Sequence, residues 1–224
     1  IVHCSFLVPL YKTHTEYTEF SFGYHWVVVN FLQSNLWLFH TNAILDFGIS
    51  EIEGSGIFTL NDDATLQTAN VAGLDSTLKN TGTITLSTSA NYTFNGSSGQ
   101  VTGNLLPFTI NDITINNSAG VTLTHDISVD GLLSVINGDL HLNGNTIDLG
   151  TTGSLNETPG NTVTDPLGTI IAFQTLNAPS GINVGGLGVT FTSTDNLGMT
   201  LVQRVHSLAM GNGNQGILRQ FLID

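Results

Sequence analysis

The sequence predicts an all-β chain wound as a right-handed parallel β-helix, with an irregular N-terminal cap and a β-rich C-terminal segment. Three observations predict it. Apolar residues recur in pairs two positions apart, so each pair faces one side of a short strand. Clusters of Asn, Asp and Gly, which tolerate left-handed backbone, separate the pairs. The set of pairs then repeats every 20 to 22 residues, from Ile113 to Leu133 to Leu155.

Residues 1–40 are rich in aromatics, among them Tyr17, Phe20, Tyr24, Trp26, Phe31, Trp37 and Phe39. Their alternation is poor, and they read as a capping segment over the solenoid's open edge. Residues 41–158 form the solenoid. Phe58/Leu60, Ala64/Leu66, Ile84/Leu86 and Tyr92/Phe94 begin it with uneven spacing. The regular part is Ile113/Ile115, Val121/Leu123, Ile127/Val129, Leu133/Val135, Leu140/Leu142 and Ile147/Leu149. Asn116–Gly120, Asp130-Gly131, Asn137-Gly138-Asp139 and Asn143-Gly144-Asn145 are its corners.

A β-sandwich closed by Asn-Gly hairpins is the competing architecture. A 20-residue coil stacks Ile113/Ile115 on Leu133/Val135, Val121/Leu123 on Leu140/Leu142 and Ile127/Val129 on Ile147/Leu149. Like falls on like at each level, which a solenoid requires and a sandwich does not. About five coils are expected between residues 41 and 158. Residues 159–224, with Pro159, Pro166, Pro179 and the glycine clusters Gly185-Gly186 and Gly211–Asn214, read as a β-rich final coil or cap.

Composition narrows the function. Of 224 residues, 40% are hydrophobic and 9% charged, and the net charge is −13 with only Lys12, Lys79, Arg204 and Arg219 basic. Such a chain repels phosphate backbones and anionic lipid, so neither nucleic acid nor membrane insertion is expected. The most apolar run, Trp26–Phe39, is interrupted by Asn30, Gln33, Ser34 and Asn35 and is too short to span a bilayer. Cys4 is the single cysteine and is read as incidental, so no internal disulfide exists. The chain does not begin with Met, and no signal peptide is visible. It reads as an internal fragment of a longer protein.

Gly82–Gly96 followed by Gln100–Gly103, Ile113–Leu123 and Gly138–Ile147 resemble recurring segments of large secreted proteins of Bacteroidota. Asn183–Gly188, Asn196–Gly198, Arg204–His206 and Gly211–Asn214 are similar to the stretch C-terminal to the repeats in those proteins. The resemblance covers residues 44–224. It implies export by the type IX system, a secreted or cell-surface location, and adhesive or scaffold roles.

Candidate chemistry is sparse. Polysaccharide lyases of this shape need an Arg or Lys base, and none lies between Lys79 and Arg204. Glycosidases need two opposed carboxylates; Asp62-Asp63 is the nearest match and reads as a solvated corner. His125 and His141, placed on outer strand faces beside Asp126 and Asp139, fall on different stacks, and His141 falls on Thr122, so a metal site is not expected. The other histidines of the first 40 residues form no close pair. Arg204 and His206 share a strand face and are expected to join a structural network with an acid such as Asp195. Asp126, Asp130, Asp139 and Asp148 are oxygen-rich corners, read as turns rather than calcium sites. Gly185, Gly186 and Gly188 precede no helix, so they form no phosphate loop. Thr114 stacks on Ser134 and Thr124 on Asn143, so the threonine ladder of an ice-binding face breaks.

The expectation is a non-enzymatic extracellular structural or adhesive module, without catalytic, cofactor or metal residues. Its partners are other copies, up to a filament, or surface glycans. The alternative is a carbohydrate-binding or carbohydrate-active β-helix.

Overall fold

The computed structural model describes residues 18–22, 25–30, 36–39, 42–80, 82–209 and 216–224, with side chains described for 42–79, 82–206 and 219–224. It is a β-solenoid. One face is a six-stranded parallel sheet of Ile44–Asp46, Thr65–Thr68, Asn91–Phe94, Ile113–Asn116, Leu132–Asn137 and Ser154–Glu157. Its six strands mark a solenoid of about six turns, one more than the five coils expected from the repeat.

The register follows the sequence arithmetic. Ile113 pairs Leu133 and Ile115 pairs Val135. Val121 pairs Leu140, Ile127 pairs Ile147, and Leu133 pairs Leu155. The second face stacks Gln100–Val101, Val121–Thr122 and Leu140–His141. The third stacks Thr109–Ile110, Ile127–Val129 and Thr146–Asp148. Both faces end on one long strand, Val163–Asn177.

Stacking produces a dry interior because equivalent residues superpose about 4.8 Å apart. Leu45, Leu66, Tyr92, Ile113, Leu133 and Leu155 form one inward row, and none is more than 8% exposed. Each such aliphatic side chain contributes about 1.5–3 kcal/mol by leaving water. The row beside it runs Thr68, Phe94, Ile115, Val135 and Glu157. Its last member is an acid, and the C-terminal segment answers it.

A polar core accompanies the apolar one. Gln100 is 2% exposed and Asn117 fully buried. Gln100 donates Nε2 to the carbonyls of Thr68 and Asn70 at 3.1 and 2.9 Å. Its Oε1 accepts from the Gly96 N–H at 2.8 Å and from Asn117 Nδ2 at 2.8 Å. These amides satisfy carbonyls and N–H groups that the corners leave inside.

The N-terminal zone contributes strands Thr18–Phe22, His25–Asn30 and Leu36–Phe39. The last pairs in parallel with Ile57–Leu60, which pairs in turn with Ile84–Leu86. Poor alternation hid these strands, because their antiparallel pairs stand outside the coil repeat. The helical content of the described residues is one turn, Leu74–Thr77, and a 3-10 turn, Val184–Gly186.

At the other end the chain leaves the solenoid. Val163–Asn177 turns back through Asn196–Ala209, which pairs with Gly216–Ile223, all antiparallel. Between them lies the short hairpin Ser180–Asn183 with Thr190–Thr192. The turn at Val184–Gly186 lies on the last rung. Gly186 has φ +71°, and a Cβ there would come within 2.3 Å of the Leu155 carbonyl oxygen.

Candidate functional site

Two groups of side chains carry most of the polar chemistry among the described residues: the acids at the coil corners and a buried ionic cluster under the C-terminal sheet. At the corners the carboxylates reach along the solenoid axis. Asp126 Oδ1 accepts the Thr146 N–H at 2.7 Å, Asp139 Oδ1 that of Thr162 at 2.8 Å, and Asp112 Oδ1 that of Leu132 at 2.7 Å. Asp75 binds the N–H groups of Asn104 and Leu105, both at 2.9 Å. Each joins its own coil to another segment 20 to 30 residues away in the chain. At these corners the carboxylates supply the acceptor for N–H groups that the strand ladders do not pair.

Asp165 behaves in the same way. It accepts from Gly144 N at 2.8 Å and Leu167 N at 2.7 Å. Partial burial pushes its carboxyl up, but the N–H groups of Leu167, Gly144, Gly168 and Asn143 outweigh it and hold the group below its ordinary 3.8. Asp148 closes its own turn by accepting Gly150 N at 2.7 Å. Asp130 is an exposed corner. Asp62 and Asp63 are exposed, Asp63 with φ +58°, and Asp62 accepts the Ser87 hydroxyl.

The histidines separate as the stacking implied. His141 is exposed and pairs Thr122. His125 corrects the expectation: it stands in a corner rather than on a strand, half-buried. Its ring lies 4.7 Å from that of Phe108 at 60°. Phe108 is 72% exposed although its spacing from Ile110 would turn it inward. Leu106, 2% exposed, fills the interior at this corner instead. Among the described residues no three His, Cys, Asp or Glu side chains gather to hold a metal. Cys4 and the side chains of the four N-terminal histidines lie outside the described residues.

The ionic cluster forms where Glu157 ends an inward row. Arg204, 1% exposed, grips it with two bonds, Nη2 to Oε1 at 2.6 Å and Nη1 to Oε2 at 3.1 Å. Arg219 adds a third at 3.1 Å. The Thr162 hydroxyl donates to Oε1 at 2.7 Å, as does the Val163 N–H at 2.8 Å. With its proton given to Glu157, Thr162 Oγ1 accepts from His206 Nδ1 at 2.9 Å, which places the ring proton on Nδ1. Burial pushes the Glu157 carboxyl up; the Arg204 bonds and charge, with Val163 and Thr162, outweigh it and bring it below its ordinary 4.5. Burial also lowers His206 from 6.5, assisted by the charges of Arg219 and Arg204 and opposed by Glu157.

The expected acid partner, Asp195, is thus corrected to Glu157. Asp195 is exposed in the turn before residue 196, where its carbonyl accepts the Ala178 N–H. The signal for Glu157 was in the repeat: Val135 plus the 22-residue coil lands on residue 157, an inward position. An acid there demands a buried cation, and Arg204 supplies it.

Gly185 and Gly186 serve the close approach of the cap to the last rung. The outward row Thr93, Thr114, Ser134 and Asn156 keeps threonine for two rungs only. Lys79 pairs with Glu51 at 2.8 Å. No helix among the described residues is long and apolar enough to cross a membrane. Compared with known proteins, the chain matches no protein-family model, no curated protein and no solved structure.

Proposed function

We propose that the chain is a non-enzymatic extracellular structural or adhesive module, a stiff solenoid that holds its ends apart and offers its faces for contact. The observation that supports this reading is the use of the corner acids. Asp75, Asp112, Asp126, Asp139 and Asp165 accept backbone N–H groups of other segments, so they brace the stack against unwinding. The extracellular location rests on the resemblance to type IX cargo.

Pulling the chain by its ends tests the mechanical role. Each coil of 20 to 22 residues should release about 70 Å of contour length, in discrete steps. Smooth extension at low force would refute it.

Carbohydrate binding is the second reading, favoured by the exposed Phe108 ring against His125. An aromatic face of this kind suits the apolar face of a sugar. Measured turnover on neutral and polyanionic glycans, lost on replacing Asp62 and Asp63 by Asn, would overturn the non-enzymatic reading.

A further inference from the structure

We propose that the outer face of the C-terminal antiparallel sheet is a self-association surface, whose occupant is the same face of a second copy of this chain. Alternation sets the two sides of this sheet apart. Thr200, Val202, Arg204 and His206 are buried at 5, 0, 1 and 4% exposure and turn toward the solenoid. Their odd-numbered neighbours turn outward. Across the strands Ile171 pairs Gln203, which pairs Leu222, and Phe173 pairs Leu201. Met199 and Leu222 are 60 and 58% exposed. A shallow depression of about 480 Å³ opens among Gln203, Val205, Gln220 and Leu222.

Charge selects the occupant. The chain carries 17 acids and a net charge of −13, yet between Pro166 and Ile223 it holds one acid, Asp195, in the turn before this face begins. Asp148, Asp165 and Asp224 stand at its margins, and Arg219, 38% exposed, is turned to Glu157. Two copies repel wherever their acidic coils meet, and the repulsion is least where both present uncharged surface. A basic partner would seek the acidic coils instead. A twofold axis sets the face against itself, sheet on sheet at about 10 Å.

Three strands about 4.8 Å apart and eight residues long cover roughly 400 Å² in plan. That is the size of a weak interface, so the dimer is expected at micromolar or higher concentrations. Raising the salt should strengthen it, because screening removes repulsion between the acidic coils.

Sedimentation velocity on the full chain, from about 10 to several hundred micromolar, tests this at low and high salt. The expected result is a monomer–dimer equilibrium that shifts to dimer with salt. Met199→Glu and Leu222→Glu, both at exposed positions, should each weaken it at least tenfold. Ile44→Glu, 65% exposed on the first rung, should leave it unchanged. Far-ultraviolet circular dichroism confirms that each variant is folded. A wild-type chain monomeric throughout, a dimer that salt dissociates, or one that survives both substitutions would each overturn the proposal. A monomer would leave the stiff-solenoid reading standing, since that reading does not depend on this surface.

Discussion

Replacing Glu157 by Gln keeps the side chain's shape and removes its charge, and the consequence falls on Arg204. That guanidinium is 1% exposed, and among the described residues Glu157, at 13%, is the acid paired with it. Stranding one member of a buried ion pair costs about 3–5 kcal/mol. Little of this is lost to solvent screening, because both groups lie away from water. For a chain of this length each kcal/mol moves a cooperative melting midpoint by about 2–4 °C. The expected loss is therefore roughly 6–20 °C by circular dichroism. Hydrogen exchange should locate it, with faster exchange at Val202–His206 and unchanged exchange at Ile113–Val135. The double variant Glu157→Leu with Arg204→Met removes both charges and should recover much of the loss. A Glu157→Gln protein that melts within about 2 °C of the parent and exchanges normally would refute the reasoning.

The remaining predictions concern pH and the core. His206 is held below its ordinary 6.5 and Glu157 below its ordinary 4.5. Both shifts mean that the unfolded chain binds protons the folded chain refuses. Stability should thus be full above about pH 6.5, fall as His206 is protonated in the unfolded state, and fall again below about 4.5; urea midpoints that do not change between about pH 8 and 4 would contradict this. Gln100→Leu leaves the Gly96 N–H without its acceptor and removes the side-chain donor from the Thr68 and Asn70 carbonyls, which keep the N–H groups of Asn95 and Gly73; equilibrium denaturation should register a loss of about 1–3 kcal/mol. Tyr92→Phe removes a buried hydroxyl that has no partner among the described residues, so it should leave stability unchanged or raise it by up to about 1 kcal/mol; a clear loss would reveal a bond to that hydroxyl. Gly138→Ala places a Cβ 1.9 Å from the Asn117 carbonyl oxygen at φ +78°, and thermal melting should show a loss of more than about 1 kcal/mol.

The coil repeat, the register of the regular rungs and the inward rows were determined by the sequence alone. Alternation of period 2 is local, and a spacing of 20 to 22 residues fixes which pair lies on which, so Ile113 on Leu133 on Leu155 needed nothing more. The separation of His125 from His141 followed from the same arithmetic. Pairings outside the repeat were decided only by the tertiary structure. Glu157 and Arg204 are 47 residues apart, and nothing local predicts that the chain folds back to bring them together. Phe108 is exposed while Leu106 occupies the interior at that corner, a choice that alternation around Ile110 does not make. Asn117 read as a turn residue and Gln100 had no assigned role, and only the closed coil placed both amides inside against backbone carbonyls and N–H groups. Periodicity reports which side a residue faces relative to its neighbours in sequence. It is silent on what a returning segment brings to that side, and the buried charge of this protein is settled there.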